Sequence, residues 1–376
     1  MSTDAEIATI EVSVTDARRF ARRAVLLDEP VPDVDTALVH HGYIQLDPVN
    51  VCGRMHDLIL RNRVAGYREG DLMRHLHGEN EGPPLPPESR RAFEHHFPST
   101  SILAAFPVSA WPYMLAAMKA RARRSGAWSG RLTPREKELS DRILGELGAR
   151  GPLSSEDIND PRRGRRVWGS SSLAKTTLQK LFFHGRVLIA GRKNHRRLYD
   201  LPARVLPPAV LALKEPPAHE TAAWLVRAKL RQRRLVTLTR AELALAAPFV
   251  TAVRIPGCPV AFCLNEDRML FDRATAGGTD APPRLLAPLD PLIYDRRLTA
   301  GLWDFSYTWE AYTPLHKRVR GHYALPILAG LELVGHLDPK ADRAQRRRRV
   351  MSKQVRRGYS VAAAKNELAQ FLGLRG

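Results

Sequence analysis

Cysteine and long apolar runs are both scarce in this chain. Only Cys52, Cys258 and Cys263 occur among 376 residues, and their spacing fits neither a zinc site nor an even disulfide framework, so we expect three reduced thiols. No apolar run approaches the roughly 18 residues that a membrane-spanning helix needs. The N-terminus has no basic stretch followed by an apolar one, so no secretory signal is predicted and a cytoplasmic location is expected.

Several catalytic signatures are also absent from the sequence. There is no P-loop, no glycine-rich dinucleotide turn behind a strand, no HExxH helix and no nucleophile elbow. The adjacent pairs His40/His41 and His95/His96 lack the i,i+4 spacing that suits metal ligation, so we interpret them as helix-end or surface residues. We therefore expect neither a metal nor another cofactor.

Acidic residues are few relative to basic ones. Lysine and arginine number 59 against 39 aspartates and glutamates, which leaves a formal charge of +20. This excess predicts a polyanionic partner. An anionic membrane surface would favour lysine-rich amphipathic helices with aromatic anchors, whereas here arginine is spread over several clusters. Nucleic acid is the favoured partner.

The length allows several domains, and the pattern predicts an α+β fold, mainly helical. We expect tandem winged-helix (helix-turn-helix) units and a small C-terminal β-rich domain. The predicted segments are 1–130, an N-terminal winged-helix-like unit; 131–210, a winged helix with a basic wing; 211–287, a third such unit; and 288–376, a β-rich domain with a basic tail and a terminal helix.

The second segment carries the clearest winged-helix pattern. Thr133 and Glu136 form a capping box, "GPLSSEDI" predicts a turn and a capped second helix, and a third helix runs through Phe183 to Gly185. Two strands, "RVLIA" and "RRLYDL", then flank the polar turn "GRKNH". Three helices followed by a basic hairpin is the winged-helix order.

The first segment begins with a helix that Thr15 or Asp16 is expected to cap. Asp33 then caps a short helix that Gly42 ends, and "YIQL" is predicted to be a brief strand. A third helix is expected after Pro48, with an apolar face and a basic side.

Basic residues cluster where these units would meet a polyanion. The predicted wing alone has the alternative interpretation of a solvated basic turn, but long cationic side chains at such a turn can straddle phosphates without specifying sequence. The candidate DNA contacts are Arg54, Arg61 and Arg63 on the third helix, Lys175 before the wing, Arg192, Lys193, Arg196 and Arg197 in the wing, and Arg162, Arg163, Arg165 and Arg166 in "PRRGRR".

Gln45 and Asp47 in "QLD" are the candidate catalytic residues. At i and i+2 on a strand they would point to the same side, where an amide and a carboxylate can hold and polarise a water. The alternative is that Asp47 caps a helix that starts after Pro48. Spacing alone favours this capping role.

Three blocks, taken together, resemble a known family. They are "YIQLD" with "VNVCGRMHDLILRNR", "HGRVLIAGRKNHRRLYDLPARVLP", and the long block from "PLDPLIYDRRLTAGLWDF" to "LVGHLDPKADR". They resemble the bacterial winged-helix DNA glycosylases of the YcaQ/AlkZ type, which excise alkylated bases and unhook interstrand crosslinks. Gln45 and Asp47 match the family's Gln-apolar-Asp motif, which implies the YcaQ-like branch. Pro48 stands where relatives often carry a hydroxyl residue, and "HHFPSTSILAAFP" departs from the expected His-Glu-Ala stretch.

The resemblance implies a monofunctional DNA glycosylase that hydrolyses the N-glycosidic bond of N7-alkylpurine nucleotides. Asp47 would activate water and stabilise the sugar cation, Gln45 would orient that water, and no lysine accompanies the motif. The third block adds Lys317 and Arg318 to the expected contacts with double-stranded DNA. The alternative is a non-catalytic winged-helix DNA-binding protein, a regulator or an architectural factor. Serial winged helices in one chain favour a nucleoid-associated monomer over a symmetric dimer.

Overall fold

The computed structural model describes residues 7–158, 172–193, 196–272 and 281–375 of the chain. It shows an α+β fold in which many helices accompany small sheets. The chain divides into two compact units, one made of residues 1–71 together with 222–376 and the other of residues 72–221. We call these the discontinuous unit and the central unit.

These units have different boundaries from the four predicted segments. The first predicted segment, 1–130, contributes residues to both units, because its first 71 residues join the discontinuous unit and the rest join the central one. The predicted segments 211–287 and 288–376 lie mostly in the discontinuous unit. The division into four domains with these bounds stays a prediction.

The helices and strands follow one another in short elements along the chain. The helices are α1 Val14–Ala24, α2 Val34–His41, α3 Met55–Leu60, α4 Asp71–His77, α5 Trp111–Arg123, α6 Pro134–Arg150, α7 Leu173–Phe183, α8 Pro208–Leu211, α9 Ala218–Arg233, α10 Arg240–Ala246, α11 Met269–Asp272, α12 Arg296–Trp303 and α13 Ala362–Phe371. The strands are β1 Thr9–Glu11, β2 Ile44–Gln45, β3 Ala92–His96, β4 Leu103–Pro107, β5 Leu188–Lys193, β6 Arg196–Asp200, β7 Val250–Arg254, β8 Ala261–Leu264, β9 Arg284–Leu285, β10 Leu325–Ala329, β11 Glu332–Asp342 and β12 Arg347–Val355.

Helix α1 begins earlier than the sequence predicts. Its N-cap is Ser13, whose side chain accepts a hydrogen bond from the backbone N–H of Asp16, so the prediction of Thr15 or Asp16 as the cap is wrong. Asp16 lies in the first turn instead, where a negative charge complements the helix dipole. The apolar stripe of α1, which includes Phe20, packs into the main core of the discontinuous unit with Leu298 and Leu302 of α12.

Helix α2 and strand β2 lie where the sequence predicts them. Asp33 caps α2 through a hydrogen bond from the N–H of Thr36, and Gly42 ends it with a φ of +71°, a left-handed conformation that glycine adopts without steric cost. The prediction that a helix starts directly after Pro48 is wrong, because α3 begins only at Met55 with Arg54 as its N-cap. Irregular backbone joins β2 to α3.

The central unit contains the predicted winged-helix elements α6, α7 and the hairpin β5–β6. Thr133 and Glu136 form the expected capping box, and Gly185 has the expected left-handed φ of +69° after α7. The "GPLSSEDI" stretch forms a turn that Ser154 and Asp157 hold by hydrogen bonds, and no helix starts within its described residues. The prediction of a capped helix is therefore wrong for this stretch, which ends at residue 158. Arg162, Arg163, Arg165 and Arg166 lie outside the described residues.

His95 and His96 are buried in strand β3, so their prediction as helix-end or surface residues is wrong. The ring of His95 bonds to the carbonyl oxygen of Phe182 at 2.7 Å, and that of His96 stacks on Phe183 with centroids 3.9 Å apart. Burial lowers the pKa of His95 to about 3 and that of His96 to about 4, which keeps both rings neutral. His40 and His41 do end helix α2, as predicted.

Two sheets shape the discontinuous unit. Strand β1 pairs in parallel with β7, which pairs antiparallel with β8, and a second sheet has the order β9-β10-β11-β12. The second sheet contains the predicted turn between β10 and β11 at Ala329 and Gly330. The sequence predicts a basic tail after β11, but residues 347–355 form strand β12, which pairs with β11. Its many arginines lie on an edge strand, where charge is tolerated.

A buried ion pair joins the two sequence-distant parts of the discontinuous unit. Arg63, after α3, donates to both carboxylate oxygens of Asp290 at 3.0 and 2.6 Å, and both side chains are fully buried. The same guanidinium donates to the carbonyl oxygens of Val25 and Ile59. Such complete pairing is what a charge needs in an apolar interior.

Candidate active site

Gln45 is the last residue of strand β2, and its side chain is buried. The hydroxyl of Tyr294 donates a hydrogen bond to its Oε1 at 3.3 Å. Tyr294 lies just before Asp295, the N-cap of α12. A residue from the last third of the chain therefore contacts Gln45, the first catalytic candidate. The hydrogen bond identifies Oε1 as the acceptor end of the amide and Nε2 as its donor end.

Arg233 and Tyr43 surround this pair. The Arg233 guanidinium lies 3.9 Å from the centre of the Tyr294 ring, a cation–π contact. Burial raises the pKa of the Tyr43 hydroxyl to about 12, even though a hydrogen bond with Arg233 acts in the opposite direction. Tyr43 therefore stays protonated near neutral pH, and Arg233 is a positive charge close to Gln45.

Asp47 lies two residues beyond Gln45, outside the strand. Its Oδ1 accepts a hydrogen bond from the N–H of Val49 at 2.9 Å, which forms a local turn across Pro48. Asp47 therefore caps no helix, and the alternative interpretation of its role is wrong. Because β2 ends at Gln45, strand alternation cannot place Asp47 on the same side as Gln45, so this argument from spacing does not hold either.

The Asp47 carboxyl is half-buried, and burial raises its pKa above the ordinary value of 3.8, although the Val49 hydrogen bond partly offsets the shift. Two tyrosines lie within its electrostatic reach. Burial raises the pKa of the Tyr312 and Tyr323 hydroxyls, and the charge of Asp47 raises both further. Among the described residues, no cationic side chain pairs with this carboxylate, and the neighbours that sense its charge are tyrosines.

Trp309 connects the two tyrosines. Its ring makes edge contacts with Tyr312 at 5.5 Å and with Tyr323 at 6.3 Å between ring centres. Tyr323 is buried and its hydroxyl donates to the carbonyl oxygen of Gly53, whereas Tyr312 is 74% exposed. The aromatic side chains thus run from the interior to the surface beside Asp47.

The predicted DNA contacts that the structure describes fall into two groups. Exposed or half-exposed cations that can reach a phosphate are Arg54, Lys175, Lys193, Arg196 and Lys317, of which Arg196 also pairs with Glu156. The other five make internal contacts: Arg61 beside Glu367, Arg63 with Asp290, Arg192 with Glu94, Arg197 over the ring of Phe182, and Arg318 with the carbonyl oxygen of Thr313.

The buried Glu94 carboxylate is the internal partner of Arg192. Glu94 is buried in β3, and both of its oxygens accept from Arg192 while one also contacts the ring of His77 at 3.0 Å. Burial alone would raise the pKa of Glu94, but Arg192 and His77 outweigh that effect and hold it far below its usual range. Arg192 therefore balances a buried negative charge at the base of the predicted wing.

Sequence reasoning missed Tyr294, Arg233, Trp309 and Tyr312. Tyr294 and Trp309 lie in the third family-like block, and this position was the one sequence signal for a functional role. An aromatic residue in such a block is, however, equally typical of a hydrophobic core. Nothing in the sequence connects Arg233, at the end of α9, with "QLD". No metal-binding cluster and no helix able to cross a membrane occur among the residues that the structure describes.

Among solved structures, the DNA glycosylase AlkZ of Streptomyces sahachiroi is similar to this chain with a TM-score of 0.62, at 16% sequence identity, over 97% of this chain and 98% of that one. At this identity the match establishes a shared fold, which is that of a winged-helix protein with a β-rich part.

The profile of the family described as "DNA glycosylase AlkZ-like" matches residues 38–373. The chain therefore belongs to the AlkZ-like DNA glycosylase family, and DNA is the substrate class of that family. The matched range includes Gln45, Asp47 and Tyr294, which the structure places in the same unit.

Proposed function

We propose that this protein hydrolyses the N-glycosidic bond of N7-alkylpurine nucleotides in double-stranded DNA and unhooks interstrand crosslinks built on such bases. The observation that carries the proposal is the half-buried Asp47 carboxylate, which lacks a cationic partner among the described residues and lies two positions from an amide held by Tyr294. Its place in an AlkZ-like chain supports a DNA lesion as the substrate.

The chemistry needs no acid to protonate the leaving base. An N7-alkylated purine already carries a positive charge, so the bond between C1′ and N9 breaks with its electron pair going to the base, which leaves as a neutral molecule. The sugar becomes cationic as the bond breaks. Asp47 stabilises this cation through its negative charge and accepts a proton from water, whose oxygen bonds to C1′. The products are a free base and an abasic site.

Gln45 serves as the water-orienting group in this scheme. Tyr294 occupies its carbonyl end, so Nε2 is the donor that holds the oxygen of the attacking water. The nearby Arg233 charge acts on Tyr294 and Tyr43 and is not a nucleophile. A Schiff-base intermediate would require a lysine amine, and the scheme uses water alone, so we propose a monofunctional enzyme.

Surface cations supply the binding energy for duplex DNA. Lys175, Lys193 and Arg196 belong to the winged-helix elements of the central unit, and Arg54 and Lys317 belong to the discontinuous unit. Each phosphate neutralised changes the slope of log K against log salt by about −0.9. We propose a monomer that acts in the bacterial cytoplasm and nucleoid, and sedimentation of the purified protein tests the monomeric state.

The test is base release from alkylated duplex DNA. Wild-type protein is expected to release N7-methylguanine and to leave alkali-sensitive sites. The Asp47→Asn variant is expected to lose base release by at least about a hundredfold while still binding duplex DNA. The control is Asp272→Asn, which alters an exposed aspartate of α11 and is expected to retain base release. Equal release by wild type and Asp47→Asn contradicts the role of Asp47. The same samples with a crosslinked duplex show whether unhooking follows base release.

A non-catalytic DNA-binding protein is the alternative. It predicts a sequence-specific footprint, no free base in any sample, and no effect of Asp47→Asn. Absence of released base from the wild-type sample, together with retained DNA binding, favours that alternative.

A further inference from the structure

We propose that the loop of residues 310–321 inserts apolar side chains into the base stack of duplex DNA beside the lesion. Tyr312, Leu315 and Val319 on this loop are 74%, 80% and 81% exposed. These are the highest values among the large apolar side chains that the structure describes as exposed. Large apolar groups concentrated at one exposed place mark a binding site, because water contact is unfavourable for each of them. This inference rests on the proposed function.

The loop is held firmly at its C-terminal end, which distinguishes it from a flexible surface loop. The buried carboxylate of Glu310 accepts hydrogen bonds from the backbone N–H groups of Val319, Arg320 and Gly321 at 2.8 to 3.1 Å. The buried carboxylate of Asp338 accepts from the next two, His322 and Tyr323. Five consecutive N–H groups thus bind two carboxylates, and they fix the backbone from Val319, one of the exposed residues, to Tyr323.

Gly321 adds a steric constraint to this arrangement. Its φ is +130°, and a Cβ at that position would lie 2.0 Å from Oδ2 of Asp338. A residue without a side chain is therefore needed for the carboxylate to approach the backbone. The close approach fixes the direction in which the chain passes from the loop toward β10.

The loop is also next to the proposed catalytic carboxylate. Tyr312 lies within the electrostatic reach of Asp47, and Trp309 contacts both Tyr312 and the buried Tyr323. An apolar group inserted from this loop would therefore enter the DNA close to the sugar whose cation Asp47 stabilises.

Charge identifies DNA as the occupant. Lys317 is exposed between Leu315 and Val319, and the whole chain carries +20. DNA-bending proteins combine these features, with cations on the phosphates and an apolar wedge between base pairs that unstacks and kinks the duplex. Unstacking next to the lesion would expose its glycosidic bond to Asp47 and water without requiring a tight pocket for the base.

The test uses a duplex with a tetrahydrofuran abasic analogue and an adjacent 2-aminopurine, whose fluorescence rises when it is unstacked. Saturating wild-type protein is expected to raise the signal at least about threefold, and Leu315→Ala and Tyr312→Ala to abolish most of the rise while weakening binding no more than about tenfold. Met269→Ala and Tyr359→Ala are controls, because both alter exposed side chains outside the loop. Fluorescence anisotropy of an end label confirms saturation.

Two results would overturn the proposal: a wild-type complex that forms at saturation without a rise in fluorescence, or Leu315→Ala and Tyr312→Ala complexes as bright as wild type. Because the tetrahydrofuran site replaces the lesion and the probe contains no alkylated base, this outcome is independent of base release. Release of N7-methylguanine by the same wild-type preparation is measured in parallel and reports on the proposed function separately.

Discussion

The hydroxyl of Tyr294 donates its hydrogen bond to Oε1 of Gln45, across 249 positions of sequence. This contact fixes one side chain of the "QLD" motif from a distant part of the chain. It also gives Tyr294 a positioning role that can be separated from the chemistry, because the hydroxyl can be removed without disturbing the ring over which Arg233 lies.

Tyr294→Phe is expected to lower kcat for base release about three- to tenfold with little change in DNA affinity, since one hydrogen bond of this kind contributes about 0.5–1.5 kcal/mol. Tyr359→Phe, which removes the hydroxyl of a surface tyrosine, is the control. Single-turnover kinetics separate the chemical step from binding. A Tyr294→Phe rate equal to wild type, or a loss confined to KM, would contradict the positioning role.

The pH dependence of the chemical step reports on Asp47. The ionised carboxylate is the active form, so activity is complete above its pKa and is lost as pH falls through it. Burial raises this pKa above 3.8, which places the acid limb of kcat at a higher pH than an exposed aspartate gives. Single-turnover rates between pH 4 and 8, with circular dichroism at each pH, measure the limb and verify folding. A rate independent of pH over this range argues against Asp47 as the base.

The Arg63–Asp290 pair is expected to be important for stability. Asp290→Asn leaves a buried guanidinium without its counter-charge, which costs about 3–5 kcal/mol in the free energy of unfolding. Asp342→Asn is a suitable comparison, because Asp342 pairs with Arg349 at the surface and such pairs contribute less than about 1 kcal/mol. Urea denaturation gives both values. Equal losses for the two variants would show that the buried pair stabilises the fold no more than the surface pair does.

Glu310 is expected to make the loop of residues 310–321 sensitive to acid. Burial alone would raise the pKa of Glu310, but the N–H groups of Arg320, Gly321 and Val319 outweigh burial and lower it. A carboxyl with a lowered folded-state pKa stabilises the fold above its unfolded pKa, and this contribution is lost as pH falls through the folded value. The Tm difference between wild type and Glu310→Gln should therefore be largest near neutral pH and shrink in acid.

Glu88→Gln, at an exposed position of the central unit, serves as the control for that series. It is expected to leave Tm unchanged at every pH. A Glu310→Gln difference that stays constant from pH 7 to pH 3 would show that the hydrogen bonds do not depend on the charge of the carboxylate.

Local patterns predicted many elements correctly. Asp33, Gly42, Thr133 with Glu136, and Gly185 each occupy the cap or turn position that their chemistry indicates. These signals depend only on neighbouring residues. The N-cap of α1 was misplaced because Ser13, Thr15 and Asp16 are all good caps, and only packing of the helix decides among them.

Features that depend on distant contacts could not be predicted in this way. The basic stretch of residues 347–355 resembles a tail, yet it becomes strand β12 because β11 offers a partner edge. His95 and His96 resemble surface residues, yet carbonyl oxygens and phenylalanine rings more than eighty positions away enclose them. The catalytic role of Asp47 stays a prediction from the family-like blocks, and its local turn with Val49 follows from backbone geometry that spacing does not reveal.

The split of the discontinuous unit has a consequence for the nascent chain. Helix α1 leaves the ribosome early, but the residues against which its apolar stripe packs, such as Leu298 and Leu302, follow only after the whole central unit has been made. At about 5–20 residues per second, this wait is on the order of ten seconds or more. During translation, Phe20 and its neighbours are therefore exposed while the central unit can already fold. A chaperone that binds exposed apolar residues would act mainly in this interval.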